Sequence, residues 1–332
     1  MSQKRRVLVT PPNFDAEAAA FLRAHNCEIV QPEKTEAALG DVELLALVST
    51  AQGWIIGPQA RVTRALMVAA PSCRVFSRRG VGYERVDVGA VRELGRVATI
   101  ATGGNEASVA DLAIGLMLGV GRRMREQQLA MLAGDWSIRV STDLYGKTVG
   151  IVGLGRAGRA LVQRLRGFDA KILATAPRPD VEFCAQENVT IVDLPMLLGA
   201  SDYVSLHAPL TAGTRHMIGA AELALMQPSA ILINTGRGGL VDDAALLTSL
   251  RAGRIAGAGL DVYEGETDAS LKTIAQELLA LPNVIGTPHA AASTREGLAR
   301  TNLIAARNVV WALDGGALPP DCVVADGRGR PA

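Results

Sequence analysis

Three polar residues in the last third of the sequence have side chains that suit acid–base chemistry on an anionic molecule. Arg237, Glu266 and His289 each follow the end of a separate apolar strand pattern. An arginine can bind a carboxylate through two parallel hydrogen bonds, and a histidine exchanges a proton near neutral pH. A neighbouring carboxylate would orient the imidazole and favour its charged form. Each residue alone also has an ordinary alternative: an arginine that caps a helix, a glutamate at the surface, or a loop histidine with satisfied hydrogen bonds.

A glycine-rich stretch near the middle of the chain is the second functional pattern. Its sequence is TVGIVGLGRAG, in which a β-branched run leads to Gly153, Gly155 and Gly158 and then to helix-favouring residues. This order of strand, turn and helix is typical of dinucleotide binding, because the glycines allow a tight turn, close approach of a pyrophosphate and close helix packing. The amides of Arg156 and Ala157 would point at the phosphates from the helix N-terminus. The alternative is a glycine-rich turn in some other parallel-sheet protein.

Together the two patterns predict hydride transfer to a 2-keto acid. That reaction needs a cation to hold the carboxylate and polarise the ketone, and a proton donor for the forming alkoxide. Arg237 would be the cation and His289 the donor, while a nicotinamide dinucleotide would carry the hydride. We therefore expect an oxidoreductase.

The elements that must position these residues alternate along the chain. Strand and helix patterns alternate over residues 6–100, a long helical pattern covers residues 106–132, and alternation resumes from residue 148. This predicts an α/β protein of two Rossmann-like domains, each a doubly wound parallel sheet, with a cleft between them. A length of 332 residues also favours two domains. We expect Trp136 to be a packing anchor and the tail from residue 318 to be an extended strap.

Several segments, in order along nearly the whole chain, resemble the D-isomer-specific 2-hydroxyacid dehydrogenase family, which includes phosphoglycerate dehydrogenase and glyoxylate/hydroxypyruvate reductase. Besides the glycine-rich stretch, they are Gly80–Tyr83, Asn105–Asp111, Leu206–Thr211, Asn234–Val241, Gly259–Tyr263 and Thr287–His289. The resemblance implies that Arg237 anchors the substrate, that His289 is the general acid/base, and that Glu266 is its acidic partner.

The resemblance further implies a domain layout and binding residues. Residues 1–103 plus 292–332 would form a flavodoxin-like substrate-binding domain, and residues 104–291 the dinucleotide-binding Rossmann domain. The implied substrate contacts are Arg78, Arg79, Gly80, Val81, Gly82 and Asn105. The implied cofactor contacts are Gly153, Gly155, Arg156, Ala157, Gly158, His207, Ala208, Pro209, Thr214, Thr235, Asp261 and Ala291. The family also implies a homodimer built through the long helix after Asn105.

The cofactor's adenosine end is one place where the sequence departs from the family. NAD-specific members have an acidic residue, which binds the ribose hydroxyls, at the end of the second strand of this domain. Here that strand pattern is followed by Ala176, and Arg178 is near enough in sequence to meet a 2′-phosphate. We therefore expect NAD or NADP as cofactor, with NADP favoured. The alternative is an NAD enzyme that lacks this hydrogen bond.

Two loops also differ from the family. Arg79 stands where an uncharged or aromatic residue is common, so we expect it to bind a second acidic group of the substrate, such as a phosphate, phosphonate or distal carboxylate. A solvated surface arginine is the alternative. The usual proline after Glu266 is replaced by Thr267, which predicts a rearranged loop with activity retained.

The composition argues against other classes of protein. Lys and Arg number 34 against 33 for Asp and Glu, so a polyanion-binding surface is not expected and nucleic acid is not a predicted partner. The four cysteines have no metal-binding spacing, and no apolar run reaches the about 18 residues of a membrane span. We expect a cytoplasmic protein without a metal.

Two alternatives remain open. The first is a non-catalytic, NAD(H)-sensing protein of the corepressor type, against which the joint presence of Arg237, Glu266 and His289 argues. The second is a formate- or phosphite-type dehydrogenase, although nothing in the sequence indicates a one-carbon or phosphorus substrate.

Overall fold

The computed structural model describes residues 4–329, and the chain divides into two compact units. The first unit takes the residues up to 105 and those from 293 onward, and the second comprises residues 106–292. The boundaries expected from the sequence were 103/104 and 291/292. The roles of the two units as substrate and cofactor domains stay a prediction.

Strands and helices alternate through both units. The strands are β1 (Arg5–Val9), β2 (Cys27–Val30), β3 (Gly53–Ile56), β4 (Val75–Arg78), β5 (Val97–Ile100), β6 (Thr148–Val152), β7 (Lys171–Thr175), β8 (Val189–Ile191), β9 (Tyr203–Leu206), β10 (Ile231–Asn234), β11 (Gly257–Leu260), β12 (Val284–Gly286) and β13 (Val323–Asp326). The α-helices are α1 (Ala16–Ala24), α2 (Asp41–Ser49), α3 (Arg64–Ala69), α4 (Val88–Glu93), α5 (Glu106–Gly121), α6 (Met124–Leu132), α7 (Arg156–Leu165), α8 (Val181–Gln186), α9 (Leu194–Ala200), α10 (Ala220–Leu225), α11 (Asp243–Arg251), α12 (Lys272–Ala280) and α13 (Arg295–Leu313). Among residues 4–329, no helix combines the length and the apolar character needed to cross a membrane.

The sheet of the first unit has the strand order β2-β1-β3-β4-β5-β13. Its first five strands are parallel in the order 2-1-3-4-5, which is that of flavodoxin-like folds. Strand β13 pairs antiparallel with β5, and Ala325 in it is buried. The expectation of a simple extended strap was therefore wrong for this part of the tail, because its apolar residues complete the edge of the sheet.

The sheet of the second unit has seven strands in the order β8-β7-β6-β9-β10-β11-β12, and every pair is parallel. Counted within the unit, this is the Rossmann order 3-2-1-4-5-6 with one further strand. Strands β9 and β10 are buried at every residue, as expected when helices cover both faces of a parallel sheet. The predicted α/β class with two Rossmann-like sheets is confirmed.

The long helical pattern of residues 106–132 is interrupted. Helix α5 ends at Gly121, and Arg123 takes a left-handed backbone conformation with φ of 52° before α6 begins. A Cβ on Gly121 would collide with the Tyr203 hydroxyl, so close packing favours glycine at this position. Glycine also weakens the end of the helix. Trp136 is 75% exposed and is not the packing anchor that was expected.

Candidate active site

The turn that carries Arg237 is built by the last residue of β10. Asn234 is buried, and its Oδ1 accepts a hydrogen bond from the Gly236 amide (3.1 Å) while its Nδ2 donates to the Arg237 carbonyl (3.0 Å). A Cβ on Gly236 would lie 2.9 Å from Leu240 Cδ1 and 3.2 Å from the Leu206 carbonyl oxygen, so the turn packs closely at this glycine. The half-buried Arg237 side chain therefore starts from a fixed backbone at the carboxyl edge of the sheet.

His289 and Glu266 form a hydrogen-bonded pair in the same unit. Their Nδ1 and Oε2 atoms are 2.8 Å apart, and Glu266 Oε1 also accepts from the Tyr263 amide at 2.7 Å. Because an ionised carboxylate only accepts hydrogen bonds, the imidazole donates from Nδ1. Its Nε2 has no hydrogen bond to any residue that the structure describes, and the side chain is half exposed. Nε2 is thus the atom available for proton exchange.

The electrostatic surroundings favour a charged His289. The hydrogen bond that the imidazole donates to Glu266 raises the pKa of His289 above its ordinary value, whereas burial and the positive charge of Arg237 act in the opposite direction. The carboxylate of Asp261 adds to the increase. Arg237 is therefore close enough for its charge to act on His289, and the site brings a cation and a proton donor together.

Asp261 shapes the loop on which His289 lies. Its fully buried carboxylate accepts from the Thr287 hydroxyl (2.5 Å) and from the amides of Ala290 (2.7 Å) and Ala291 (3.0 Å), and its carbonyl accepts from the His289 amide (2.8 Å). His289 has a φ of 54°, a left-handed conformation that is uncommon for residues with a side chain. Such conformations persist where the surroundings over-determine them. The sequence indicated Asp261 as a cofactor contact and missed this structural role.

The glycine-rich turn leaves space next to a helix N-terminus. Gly153 has φ of 101°, and a Cβ there would lie 2.8 Å from the His207 carbonyl carbon. A Cβ on Gly158 would collide with the Gly153 carbonyl oxygen, whereas one on Gly155 would meet nothing within 4 Å. Gly155 is the N-cap of α7, whose first residues are Arg156 and Ala157. The open space therefore lies where backbone amides attract an anion.

Two buried polar atoms near this turn have no hydrogen-bond partner among the residues that the structure describes. They are His207 Nδ1 and Thr235 Oγ1, which follow the neighbouring strands β9 and β10. Burial lowers the pKa of His207 to about 4, so its imidazole is neutral, and its Nε2 lies 2.8 Å from Ser205 Oγ. Unsatisfied buried polar groups are rare in proteins. Together with the space at Gly155, they fit a bound dinucleotide with its own polar groups.

The other expected cofactor residues lie around the same sheet edge. Thr214 Oγ1 donates to the Pro209 carbonyl (2.7 Å) within the loop that begins with His207 and Ala208, so this hydroxyl holds the loop together. Ala291 is buried beside Asp261.

The segment after β7 leaves Arg178 unpaired. Within residues 4–329, Arg178 is exposed and makes no hydrogen bond or ion pair. The acidic residue closest after it, Asp180, caps α8 through the Phe183 amide (3.1 Å) and pairs with Arg159 (2.8 Å). The cation at position 178 is therefore not neutralised by that carboxylate.

The expected substrate residues at positions 78–82 lie in the first unit. Arg78 donates to the carbonyls of Gly82 (3.1 Å) and Arg79 (2.8 Å), so it organises its own loop, and Gly80 has a φ of 134°. Arg79 is half buried and donates from one terminal nitrogen to the Pro12 carbonyl (2.6 Å). Val81 and Gly82 are partly exposed, and Asn105 is buried at the end of this unit.

Comparisons with known proteins agree with the fold and the glycine-rich turn. A family model described as D-isomer specific 2-hydroxyacid dehydrogenase, NAD binding domain, matches residues 114–291. The chain is 39% identical over 280 residues to a glyoxylate reductase of Thermococcus litoralis, which covers 80% of this chain and 81% of the relative. It is 36% identical over 313 residues to a D-3-phosphoglycerate dehydrogenase of Methanocaldococcus jannaschii, which covers 93% of this chain but 58% of that longer relative. The solved structure of the TT0316 protein from Thermus thermophilus is similar with a TM-score of 0.84 at 33% identity, covering 96% of this chain and 100% of that one.

Proposed function

The chain belongs to the D-isomer specific 2-hydroxyacid dehydrogenase family, and from this we propose that it interconverts a small 2-keto acid and the D-2-hydroxy acid with NAD(H) or NADP(H). The observation that carries the proposal is the Glu266–His289 hydrogen bond, next to the charge of Arg237 and in the same unit as the glycine-rich turn. The chain spans little more than half of the phosphoglycerate dehydrogenase that it matches, so the activity is argued from the residues of this chain.

In the proposed mechanism Arg237 binds the substrate carboxylate and polarises the ketone. A planar guanidinium can hold a carboxylate through two hydrogen bonds, which fixes the orientation of the reacting carbon. His289 donates the proton at Nε2 to the oxygen of the former ketone, and Glu266 stabilises the imidazolium before transfer. A bound nicotinamide dinucleotide supplies or accepts the hydride. In the reverse direction His289 takes the proton from the hydroxyl.

The cofactor is proposed to lie along the glycine-rich turn and the ends of β9 and β10. The amides at Arg156 and Ala157 would bind the pyrophosphate, and His207 and Thr235 would gain partners for their unsatisfied atoms. Arg178 would bind a 2′-phosphate, because Ala176 places no carboxylate there to repel it. The proposal is therefore that NADP is accepted and preferred over NAD.

The substrate is proposed to carry a second acidic group that Arg79 binds. Among the described residues, its guanidinium makes one hydrogen bond, to Pro12, which leaves its other nitrogens available. Burial lowers the pKa of Arg79, and the carboxylate of Glu36 opposes this change. A partly desolvated cation binds an anion more strongly than a fully solvated one. A phosphate, phosphonate or distal carboxylate meets this requirement.

A second copy of the chain is the proposed partner. Large apolar side chains are exposed on α6 and on the segment that follows it, and they lie close together in sequence: Met124, Leu129, Met131, Leu132, Trp136, Ile138 and Val140. Exposed apolar patches of this kind mark interaction surfaces. The homodimer that the family resemblance implies would cover them.

A panel of 2-keto acids assayed with both cofactors tests the proposed function. Purified protein is mixed with NADH or NADPH and each acid, and the loss of absorbance at the nicotinamide band is followed. We expect turnover with at least one acid, a higher kcat/KM with NADPH, and loss of turnover in His289→Ala. Tight cofactor binding without turnover on any acid would favour a non-catalytic sensor, and a strong preference for NADH would refute the cofactor proposal.

A further inference from the structure

A group of three side chains lies next to the turn that carries Glu266: the buried carboxyl groups of Glu264 and Asp243, and the partly exposed imidazole of His216. Glu264 is 9% exposed, although it lies in the 3-10 turn Glu264–Glu266, two residues before the proposed partner of His289. Its Oε1 is 2.6 Å from His216 Nε2, and its Oε2 accepts from the Asp243 amide at 3.3 Å. We call His216, Glu264 and Asp243 the His216 network. None of the proposed chemistry uses these side chains.

The contact between Asp243 and Glu264 is reciprocal. The Glu264 amide donates to Asp243 Oδ2 at 2.9 Å, while the Asp243 amide donates to the Glu264 carboxylate. Asp243 is 2% exposed and begins α11, so a rigid helix end holds the backbone of the turn. Burial raises the pKa of the Asp243 carboxyl to about 7; the hydrogen bond from the Glu264 amide lowers this pKa, the charges of Glu264 and Asp242 raise it, and His216 lowers it. Near neutral pH a proton on Asp243 therefore reduces the repulsion between the two carboxyls.

The turn held in this way fixes Glu266. Its Oε1 accepts from the Tyr263 amide at 2.7 Å, which closes the turn, and its Oε2 meets His289. If the backbone at Glu264 were released, the turn could open and Glu266 would leave His289. The imidazole would then lose the main cause of its raised pKa.

The same network reaches the turn of Arg237. The His216 amide donates to the Gly239 carbonyl at 2.8 Å, and a Cβ on Gly238 would collide with the Tyr263 carbonyl group. The backbones of the two turns are thus in direct contact. Three loops, which follow β9, β10 and β11 in the chain, meet at this network.

We propose that the His216 network is a positioning unit that holds Glu266 against His289 and keeps the Arg237 turn in register with that pair. Glu264 is a positioning residue, since it acts through Glu266 and not on a substrate. The inference rests on the proposed function only where it treats His289 as the proton donor. A merely structural role would lower the stability of the fold but would leave the pKa of His289 in the folded protein unchanged.

The test is an NMR titration of the histidine ring protons in the whole protein. The sequence has four histidines, so the spectrum is simple, and a His289→Gln sample assigns the resonance. In Glu264→Ala we expect the pKa of His289 to fall by about one unit, because the turn loses its side-chain bonds to His216 and the Asp243 amide and holds Glu266 less closely to His289. The other charges that act on His289, from Arg237 and Asp261, stay in place. Glu264→Gln keeps an acceptor for the Asp243 amide and is expected to give a smaller shift.

A matched control is Glu277→Ala, which removes a carboxylate paired with Arg251 (2.8 Å) between α11 and α12 at the surface. It is expected to leave the titration of His289 unchanged. In activity assays at pH values above the lowered pKa of His289, Glu264→Ala should decrease kcat for reduction about tenfold. The KM for the cofactor should stay unchanged.

A folded Glu264→Ala protein in which His289 titrates as in the wild type would overturn the inference. Should that variant fail to fold, Asp243→Ala serves instead, because it removes the carboxylate that accepts from the Glu264 amide and so holds the backbone of the turn. It is then expected to lower the pKa of His289 in the same direction, and no shift would be equally decisive. The titration needs no turnover, so a wild type that reduces no acid would refute the proposed function separately.

Discussion

At the scale of single residues, the site depends on how His289 is held. Its left-handed backbone and its hydrogen bond to Glu266 fix both the direction of the ring and its tautomer. The nitrogen away from Glu266 is then the one that can meet a substrate. The charge of Arg237 opposes protonation of His289, whereas the paired carboxylate of Glu266 favours it.

Replacing Glu266 by glutamine is expected to shift the pH dependence of reduction to lower pH. The hydrogen bond that His289 donates to Glu266 raises the pKa of His289, whereas burial and Arg237 lower it, so loss of the carboxylate removes the largest raising cause. In the proposed mechanism, reduction requires the protonated imidazole and is therefore expected to be lost as pH rises through this pKa. Each unit of decrease lowers the protonated fraction about tenfold above the pKa. The measurement is kcat/KM between about pH 5 and 9, and an unchanged alkaline limb would contradict the assignment.

Arg79→Ala is expected to separate two kinds of substrate. KM for a 2-keto acid with a second anionic group, such as oxaloacetate or 2-oxoglutarate, should rise about tenfold or more, because a charge-assisted hydrogen bond is lost. KM for glyoxylate, which has no second acid, should change little. Arg85→Ala is the control, since Arg85 is an exposed arginine of the same unit that donates to the Gln59 carbonyl (3.1 Å). Equal effects on both substrates would refute the role of Arg79.

At the scale of elements, the strand ends and helix starts of the second unit act as fixed supports for loops. Asn234 builds the turn after β10, Asp261 builds the loop after β12, and Asp243 at the start of α11 holds the turn after β11. Each of the three is a buried side chain that binds backbone groups. Loops held in this way are positioned by the sheet and by the helices.

Asp243→Asn is expected to stabilise the protein at alkaline pH. Burial raises the folded-state pKa of this carboxyl to about 7, above the value of 3.8 for an unperturbed group. The contribution of such a group to the free energy of unfolding is fully present below the unfolded-state pKa. It is lost as pH rises through the folded-state pKa. Asparagine stays neutral and can still accept from the Glu264 amide.

The check is the thermal midpoint of wild type and variant at about pH 4 and about pH 8.5. The variant should match the wild type at the acidic pH and exceed it by about 2 °C or more at the alkaline pH. Asp193→Asn is a suitable control, because Asp193 caps α9 through the Met196 amide (2.9 Å) at the surface. A midpoint difference that does not depend on pH would contradict the raised pKa of Asp243.

At the scale of the whole molecule, the exposed apolar surface around α6 predicts self-association. Trp136, Ile138 and Val140 alternate with polar residues and are all strongly exposed. Sedimentation velocity of the wild type should give the mass of two chains, and Ile138→Asp should shift it toward one, because a charge in an apolar interface is costly. Val181→Asp alters a comparably exposed valine on α8 and serves as the control. A wild type that sediments as one chain would refute the dimer.

Much of the fold follows from local patterns. The alternation of strands and helices expected over residues 6–100 and from residue 148 is observed, since short apolar runs between turn residues indicate strands. The break between α5 and α6 was missed because Arg123 shows no sign in the sequence of its left-handed backbone. Trp136 was misjudged because an apolar side chain does not by itself indicate that it is buried within the chain.

The sequence by itself determined the identity and order of the candidate site residues: the glycines of the turn at residues 153–158, and Arg237, Glu266 and His289 after separate strands. The sequence can indicate these residues because the turn depends on local conformation, and because the carboxyl ends of parallel strands lie at the same edge of a sheet. Only the tertiary structure decided what supports them. The unsatisfied atoms of His207 and Thr235, the bonds of Asp261 and the His216 network depend on loop side chains distant in sequence. Packing and burial set the directions of these side chains, and no local sequence pattern encodes that packing.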